Sequence, residues 1–213
     1  MIKFTKKDFM VRDLMRDYLL VVNARLVGAQ LRVNGEKVTR IYILEYNNIY
    51  MYCCLRFTMN IFILDEDPIV AATMYCDSHV CKLIIELGQQ LSTAHHIHNS
   101  EFADVVYRKT HTNHPCTIWV RTTSSNYDWA YVHFVALCDE YTKRYGKTHL
   151  TDKKLRDVLS NNPVPIGELT PFALAIPEQY KCDCTIKSYR DYYLNDKRNI
   201  ALWKHGPTPH WWN

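Results

Sequence analysis

Apolar residues recur at Val11, Leu14, Met15, Tyr18, Val22, Leu26 and Ala29 with charges between them, a spacing that predicts a helix over 6–29 with one buried stripe. The pattern then shortens. The runs LRV, VTRIYILEY and IYMYCCLRF are rich in β-branched and aromatic residues, and the turn formers Asn34-Gly35 and Asn47-Asn48 separate them. They predict a small antiparallel meander. NIFIL at 60–64 predicts a further strand, and Asp65 or Asp67 followed by Pro68 predicts a helix start. Beyond it the periodicity is helical, over about 67–98, 115–121, 125–145, 151–160 and 185–204. Ser125 with Asp128 suits a helix cap, and Gly146 and Gly206-Pro207 suit helix ends. The stretch 161–177 carries four Pro and little periodicity, which predicts an ordered loop. The fold class is therefore α+β, predominantly helical. Met59 opens a stretch able to form a small protein by itself, so the expected division is an extension, 1–58, of helix plus meander, and a helical main domain, 59–213.

A chain of 213 residues with 47% hydrophobic content can bury one core and a small appendage, which excludes a disordered or fibrous protein. No uncharged apolar run approaches the roughly 20 residues that span a bilayer. The start MIKFTKKDF lacks the apolar segment of a signal peptide. A cytoplasmic protein without a membrane partner is expected, and its eight irregularly spaced Cys read as reduced thiols. The net charge of +4 permits a polyanionic partner without requiring one. Fifteen Tyr, five Trp and seven Phe add flat, half-polar faces suited to base stacking or to a dense core.

The chemistry concentrates in CDSHVCKLIIELGQQLSTAHHIH, 76–98. On a helix, His79, Lys82, Glu86 and Gln89 or Gln90 share one side, beside an apolar sector of Leu83, Ile84, Leu87 and Leu91. Lys82 beside Glu86 is either a solvated ion pair or an amine whose proton a carboxylate manages. His79, Lys82 and Glu86 are the candidate catalytic residues. Cys76, His79 and Cys81 with Cys182 and Cys184 are poor versions of the paired ligand spacing of a structural zinc site, so no metal and no cofactor is expected. Candidate phosphate contacts are His95 on the Lys82-Glu86 side, His114, Arg121 and Tyr127 around the helix start in THTNHPCTIWVRTTSSNYDW, and Arg144, Lys147 and His149 in the basic run after it. The tail interleaves Tyr189, Tyr192, Tyr193, Trp203, Trp211 and Trp212 with Lys187, Arg190, Lys197, Arg198 and Lys204, which suits either a plug on the body of the fold or a stacking surface.

The pieces MNIFILDEDPIVAA, CDSHVCKLIIELGQQLSTAHH, THTNHPCTIWVRTTSSNYDW, CDEYTKRYGKTH, TPFALAIPE, SYRDYY and PHWW resemble a family of short tailed-bacteriophage proteins. The resemblance covers about three quarters of the chain, from Met59 on. It implies a viral origin, in an infected host cell, and names no reaction. Asp77, His79, Glu86 and Leu87 also follow an Asp-x-His, six residues, Glu-Leu spacing that is similar to the phage pyrimidine-dimer DNA glycosylases. That similarity implies that Glu86 is the catalytic carboxylate and that an amine attacks the sugar carbon to form an imine. In those enzymes the amine is the chain's own N-terminus. Here 58 residues precede Met59, and Lys82 would have to substitute, as a desolvated Lys can.

Three readings stand. The first is a glycosylase or lyase acting on lesion-bearing DNA, with Lys82 and Glu86 at the sugar and Arg121, Arg144 and Lys147 on phosphates. The second is a counter-defence protein that binds or cleaves a small nucleotide signal in a closed pocket. The third is a non-enzymatic interaction module. The expected partner is accordingly nucleic acid or a small nucleotide.

Overall fold

A computed structural model describes residues 60–212 with their side chains. The chain divides into two compact units, Met1–Thr58 and Met59–Asn213. The helix expected over 6–29 and the meander after it lie outside the described residues.

Residues 60–212 form six α-helices: α1 Pro68–Met74, α2 Asp77–Ile97, α3 Pro115–Val120, α4 Ser124–Tyr145, α5 Leu150–Leu159 and α6 Thr185–Asp196, with a 3-10 turn at Glu178–Tyr180. The unit is thus predominantly helical. Helix α4 packs against α1 and α2, and α2 also touches α3 and α5. Ile84, Leu87 and Leu91 of α2 are buried against Phe134 and Leu137 of α4 and their neighbours in one core. Side chains of this kind contribute about 1.5–3 kcal/mol each.

Local chemistry sets the helix starts. Asp67 Oδ1 accepts from the Ile69 and Val70 N–H groups, with Pro68 at the first position of α1. Histidines do the same work for α3 and α5: His114 Nδ1 accepts from the Cys116 N–H and His149 Nδ1 from the Thr151 N–H. For α4 the cap is Thr123, whose hydroxyl accepts from the Asn126 N–H. The Ser125 and Asp128 expected in that role lie inside the first turns. Gly146, at φ +65°, ends α4 by returning its N–H to Thr142 O.

Three elements differ from expectation. NIFIL is no strand; its residues run irregularly through the core, with Ile61 to Leu64 all buried. The helix expected over 67–98 is broken at Tyr75-Cys76, both extended. The carbonyls that would continue α1 are taken sideways, because Arg144 donates to Thr73 O and Tyr75 O, while the Asp77 N–H goes to Leu202 O. The last helix stops at Asp196 rather than near 204, since Ile200 and Ala201 N–H both turn back to Lys197 O. From there a non-helical strap returns to the start of α2, where the Lys204 N–H donates to Asp77 Oδ2. The Pro-rich 161–177 loop is ordered, and its Pro165 and Gly167 carbonyls accept from the Ser124 and Ser125 N–H groups.

Candidate functional site

At roughly 100° per residue, His79, Lys82 and Glu86 fall within about 60° of one another on α2, with Asp77 and Cys81 on the opposite side. The Lys82 Nζ lies 3.1 Å from Glu86 Oε1. The two ends of this pair see different surroundings: the Lys82 side chain is 31% exposed and that of Glu86 4%. Neither Glu86 oxygen meets a donor in good hydrogen-bond geometry. Burial raises the carboxyl from 4.5 to about 7, and Lys82, the Asn60 backbone N–H and the Lys197 ammonium only partly oppose the rise. Desolvation wins over Coulomb attraction here. The result is a carboxyl that exchanges its proton near neutrality, 3.1 Å from a half-exposed amine.

His79 is walled in. Its Nδ1 pairs with the Tyr193 hydroxyl, and its ring stacks on Phe62 with centroids 4.9 Å apart. Burial, with Lys82 and Lys197 acting the same way, lowers it to about 3, so the imidazole is neutral at physiological pH. It supports the face without carrying a charge. Phe62 stacks on Tyr192 as well, and Lys197 Nζ sits 4.6 Å from the Tyr192 ring centre.

The other sequence candidates sit elsewhere. His95 lies three and a half turns beyond Lys82, about 20 Å along the axis at about 1.5 Å per residue. Both its ring nitrogens are engaged, Nδ1 by Ser100 and Nε2 by the Tyr127 hydroxyl, which donates to Leu159 O. His95 and Tyr127 thus tie α2 to α4 and the end of α5. Arg121 donates to Thr112 O and receives His98 on its own carbonyl at that same far end. Arg144 is buried on the Asp77 side: Nε donates to Glu140, Nη1 to Asp77 and Tyr75 O, and Nη2 to Thr73 O. Such a guanidinium is a clamp on the α1–α2 break. His114 and His149 are helix caps, His149 lowered to about 4 by burial. Lys147 is exposed in the turn after α4. The first amides of α4, expected to suit phosphate, are already bonded to Pro165 O, Gly167 O and Thr123.

Four residues that sequence reasoning did not assign to this site contribute to it: Asn60, Phe62, Tyr193 and Lys197. Asn60 is buried and its side chain spans Ala175 O and the Tyr189 hydroxyl. The i,i+4 spacing of Tyr193 and Lys197 was visible in the tail, although nothing local tied that face to α2. Among the described residues no three His, Cys, Asp or Glu side chains converge as metal ligands, and no helix is long and apolar enough to cross a membrane. No family model, curated protein or solved structure matches the chain.

Proposed function

We propose that this chain is a phage enzyme acting on nucleic acid in the infected host cell, with glycosylase and lyase chemistry at a damaged nucleotide. The observation that carries the reading is the buried Glu86 carboxyl, titrating near 7, held 3.1 Å from the half-exposed Lys82 amine. A nucleophilic amine must shed a proton before it attacks, and a carboxyl poised near neutrality is suited to take it.

In this mechanism Glu86 accepts a proton from the Lys82 ammonium. The freed nitrogen forms a bond to deoxyribose C1′ while the glycosidic C1′–N bond breaks, its electron pair leaving with the base. The base takes the proton from Glu86. The carboxylate then accepts a proton from the new secondary ammonium and delivers it to O4′ as the C1′–O4′ bond opens. An iminium between Lys82 and C1′ remains. His79, neutral and fixed by Tyr193 and Phe62, positions the face and moves no proton.

A closed phosphate pocket for a small nucleotide signal has less support, because the α4 amides and the Arg144 donors that would build it are engaged within the fold. The full chain is incubated with oligonucleotides carrying an abasic site or a cyclobutane pyrimidine dimer, in the presence of borohydride, and analysed by mass spectrometry. The expected product is a reduced covalent adduct on the peptide containing Lys82, absent in Lys82→Gln and strongly reduced in Glu86→Gln. An adduct on another amine, or none with either oligonucleotide, overturns the proposal.

A further inference from the structure

Helices α1 and α4 lie side by side and run the same way, since Trp129 donates to Glu66 O, His133 to Pro68 O and Arg144 to Thr73 O in turn along α4. The groove between them is open to solvent, holds about 370 Å³ and is lined by Ile69 and Thr73 of α1 with Val132, Val135 and Ala136 of α4. Its apolar groups are not covered: Ile69 is 58% exposed and Val132 38%. At roughly 100° per residue, Asp128, Val132, Asp139 and Lys143 fall within about 60° of one another on α4, flanked by Val135 and Ala136. This stripe carries opposite charges at its two ends. At its start the Asp128 carboxylate accepts from the neutral Asn162 amide, and Glu66 stands exposed beside Trp129. At its end the Lys143 side chain is 69% exposed, 3.3 Å from Glu140, a carboxylate that Arg144 already meets at 2.7 Å. Asp139, in the middle, is neutralised by Arg156 at 2.6 Å.

We propose that this face binds the same face of a second copy of the chain, α4 against α4 in antiparallel order about a two-fold axis between Val135 and Ala136. A two-fold contact requires one patch that is complementary to itself. Asp128 and Lys143 stand at equal distances from that axis, about 11 Å on either side at about 1.5 Å per residue. Each carboxylate therefore faces the partner's Lys143, and the exposed Glu66 adds to the same acidic end. Near the axis, the small Ala136 lets the two helices approach closely, while Val132, Val135 and Ile69 supply the apolar area to be buried. Charge also selects the occupant. A parallel pairing would set like charges together at both ends, and a partner of a single charge sign would be repelled at one of them. The stripe is about 22 Å long, which suits a small, reversible interface rather than an obligate one. The dimer should therefore form and dissociate with concentration.

The test is sedimentation velocity of the full chain over a concentration series, at low and high salt. A reductant excludes disulfide dimers through the exposed Cys182 and Cys184. A monomer–dimer equilibrium that weakens as salt is raised is expected. Ala136→Arg, which drives a charged side chain into the axis, should leave only monomer. Asp128→Lys sets a cation against the partner's Lys143 at both ends and should weaken the dimer about tenfold or more. Adding Lys143→Glu to it exchanges the two charges and should restore most of the lost affinity. Circular dichroism checks each variant for its fold, and should Lys143→Glu unfold, Ala136→Arg and Asp128→Lys decide. A chain that stays monomeric at every concentration overturns the proposal, whether the groove is filled by another protein or by nothing. Dimers that keep wild-type affinity in Ala136→Arg place the contact on another face and overturn it as well. A folded Asp128→Lys, Lys143→Glu chain that associates no better than Asp128→Lys alone overturns the antiparallel register.

Discussion

Replacing Glu86 by Gln should stabilise the protein, by an amount that grows as pH rises from about 4.5 and is nearly complete at about 7. The side chain is nearly isosteric and keeps a carbonyl oxygen for the Asn60 N–H and the Lys82 ammonium. It cannot ionise. Burial raises the Glu86 carboxyl from 4.5 in an exposed chain to about 7 in the fold, and each tenfold in proton affinity is about 1.4 kcal/mol. The native state therefore holds a proton that the unfolded chain has already released between these two values. Stability falls as pH rises through that window, by about 3 kcal/mol in all, and levels off above it. Gln removes the whole loss. The attraction of Lys82 is already contained in that rise to about 7, since the ammonium opposes the burial. The net expectation is a gain of about 3 kcal/mol for Glu86→Gln at pH 8.5 and almost none at pH 4.5. Urea unfolding followed by tryptophan fluorescence at the two pH values measures it, with equal m-values required for the comparison. Equal or lower stability of the variant at pH 8.5 would refute the claim that Glu86 is held against its own ionisation, and with it the proton exchange with Lys82.

Arg144→Gln should cost about 3–5 kcal/mol in urea unfolding, because it removes the buried guanidinium shared by Glu140 and Asp77, leaves Glu140 with the exposed Lys143 as its cation, and frees two carbonyls at the α1–α2 break; an unchanged midpoint would refute its role as a clamp. Gly206→Ala should cost about 1–3 kcal/mol, since a Cβ there would stand 2.6 Å from Arg144 Cζ and the guanidinium is held by its acceptors; a melting temperature equal to wild type would count against that close approach. His133 is buried between Pro68 O and the Tyr75 hydroxyl and is lowered to about 4. The unfolded chain takes up its proton as pH falls below 6.5 while the fold does not, so this contribution to stability is complete above 6.5 and lost toward 4. His133→Gln should flatten the acid limb of the stability curve by close to one proton, measured by urea unfolding between pH 4 and 7, and an unaltered slope would show that another group titrates there.

The side chains of α2 were readable from the sequence because i, i+3, i+4 and i+7 neighbours must share a face in any helix. His79, Lys82 and Glu86 are therefore found together whatever else the chain does. The partners that distant segments bring to that face were not readable. Arg144 looked like a phosphate ligand because it stands in a basic run, yet Glu140 four residues earlier was the better guide: an i,i+4 pair on a buried face draws the guanidinium inward, and Asp77 completes the clamp from another helix. His114 and His149 each precede a helix by one residue, where a ring nitrogen can serve as a cap, and nothing local favours that use over ligand binding. NIFIL has the composition of a strand, but side chains take the places a partner strand would: Phe62 lies between His79 of α2 and Tyr192 of α6, and the Leu64 carbonyl accepts from Arg190. The break at Tyr75-Cys76 has no Gly or Pro to mark it, because its cause is Arg144, some seventy residues away in the chain.

Helix α2 carries two kinds of buried charge, and the contrast bears on function. On one side Arg144 meets two carboxylates and two carbonyls, so each desolvated group has a partner and the arrangement supports the fold. On the other, Glu86 is desolvated as thoroughly, yet the cation paired with it is a Lys that keeps nearly a third of its side chain in solvent. Packing alone gives no reason for a carboxylate there: Gln would keep the contacts, and Leu would fill the space without a charge to bury. A fold that tolerates about 3 kcal/mol of unrelieved desolvation near neutral pH places that cost beside an amine and on the same helix face as a neutral imidazole. Uncompensated burial of an ionisable group beside a reachable amine is how proton exchange is brought into the physiological range. That is the physical ground for assigning chemistry to the Lys82–Glu86 face and architecture to the Arg144 face.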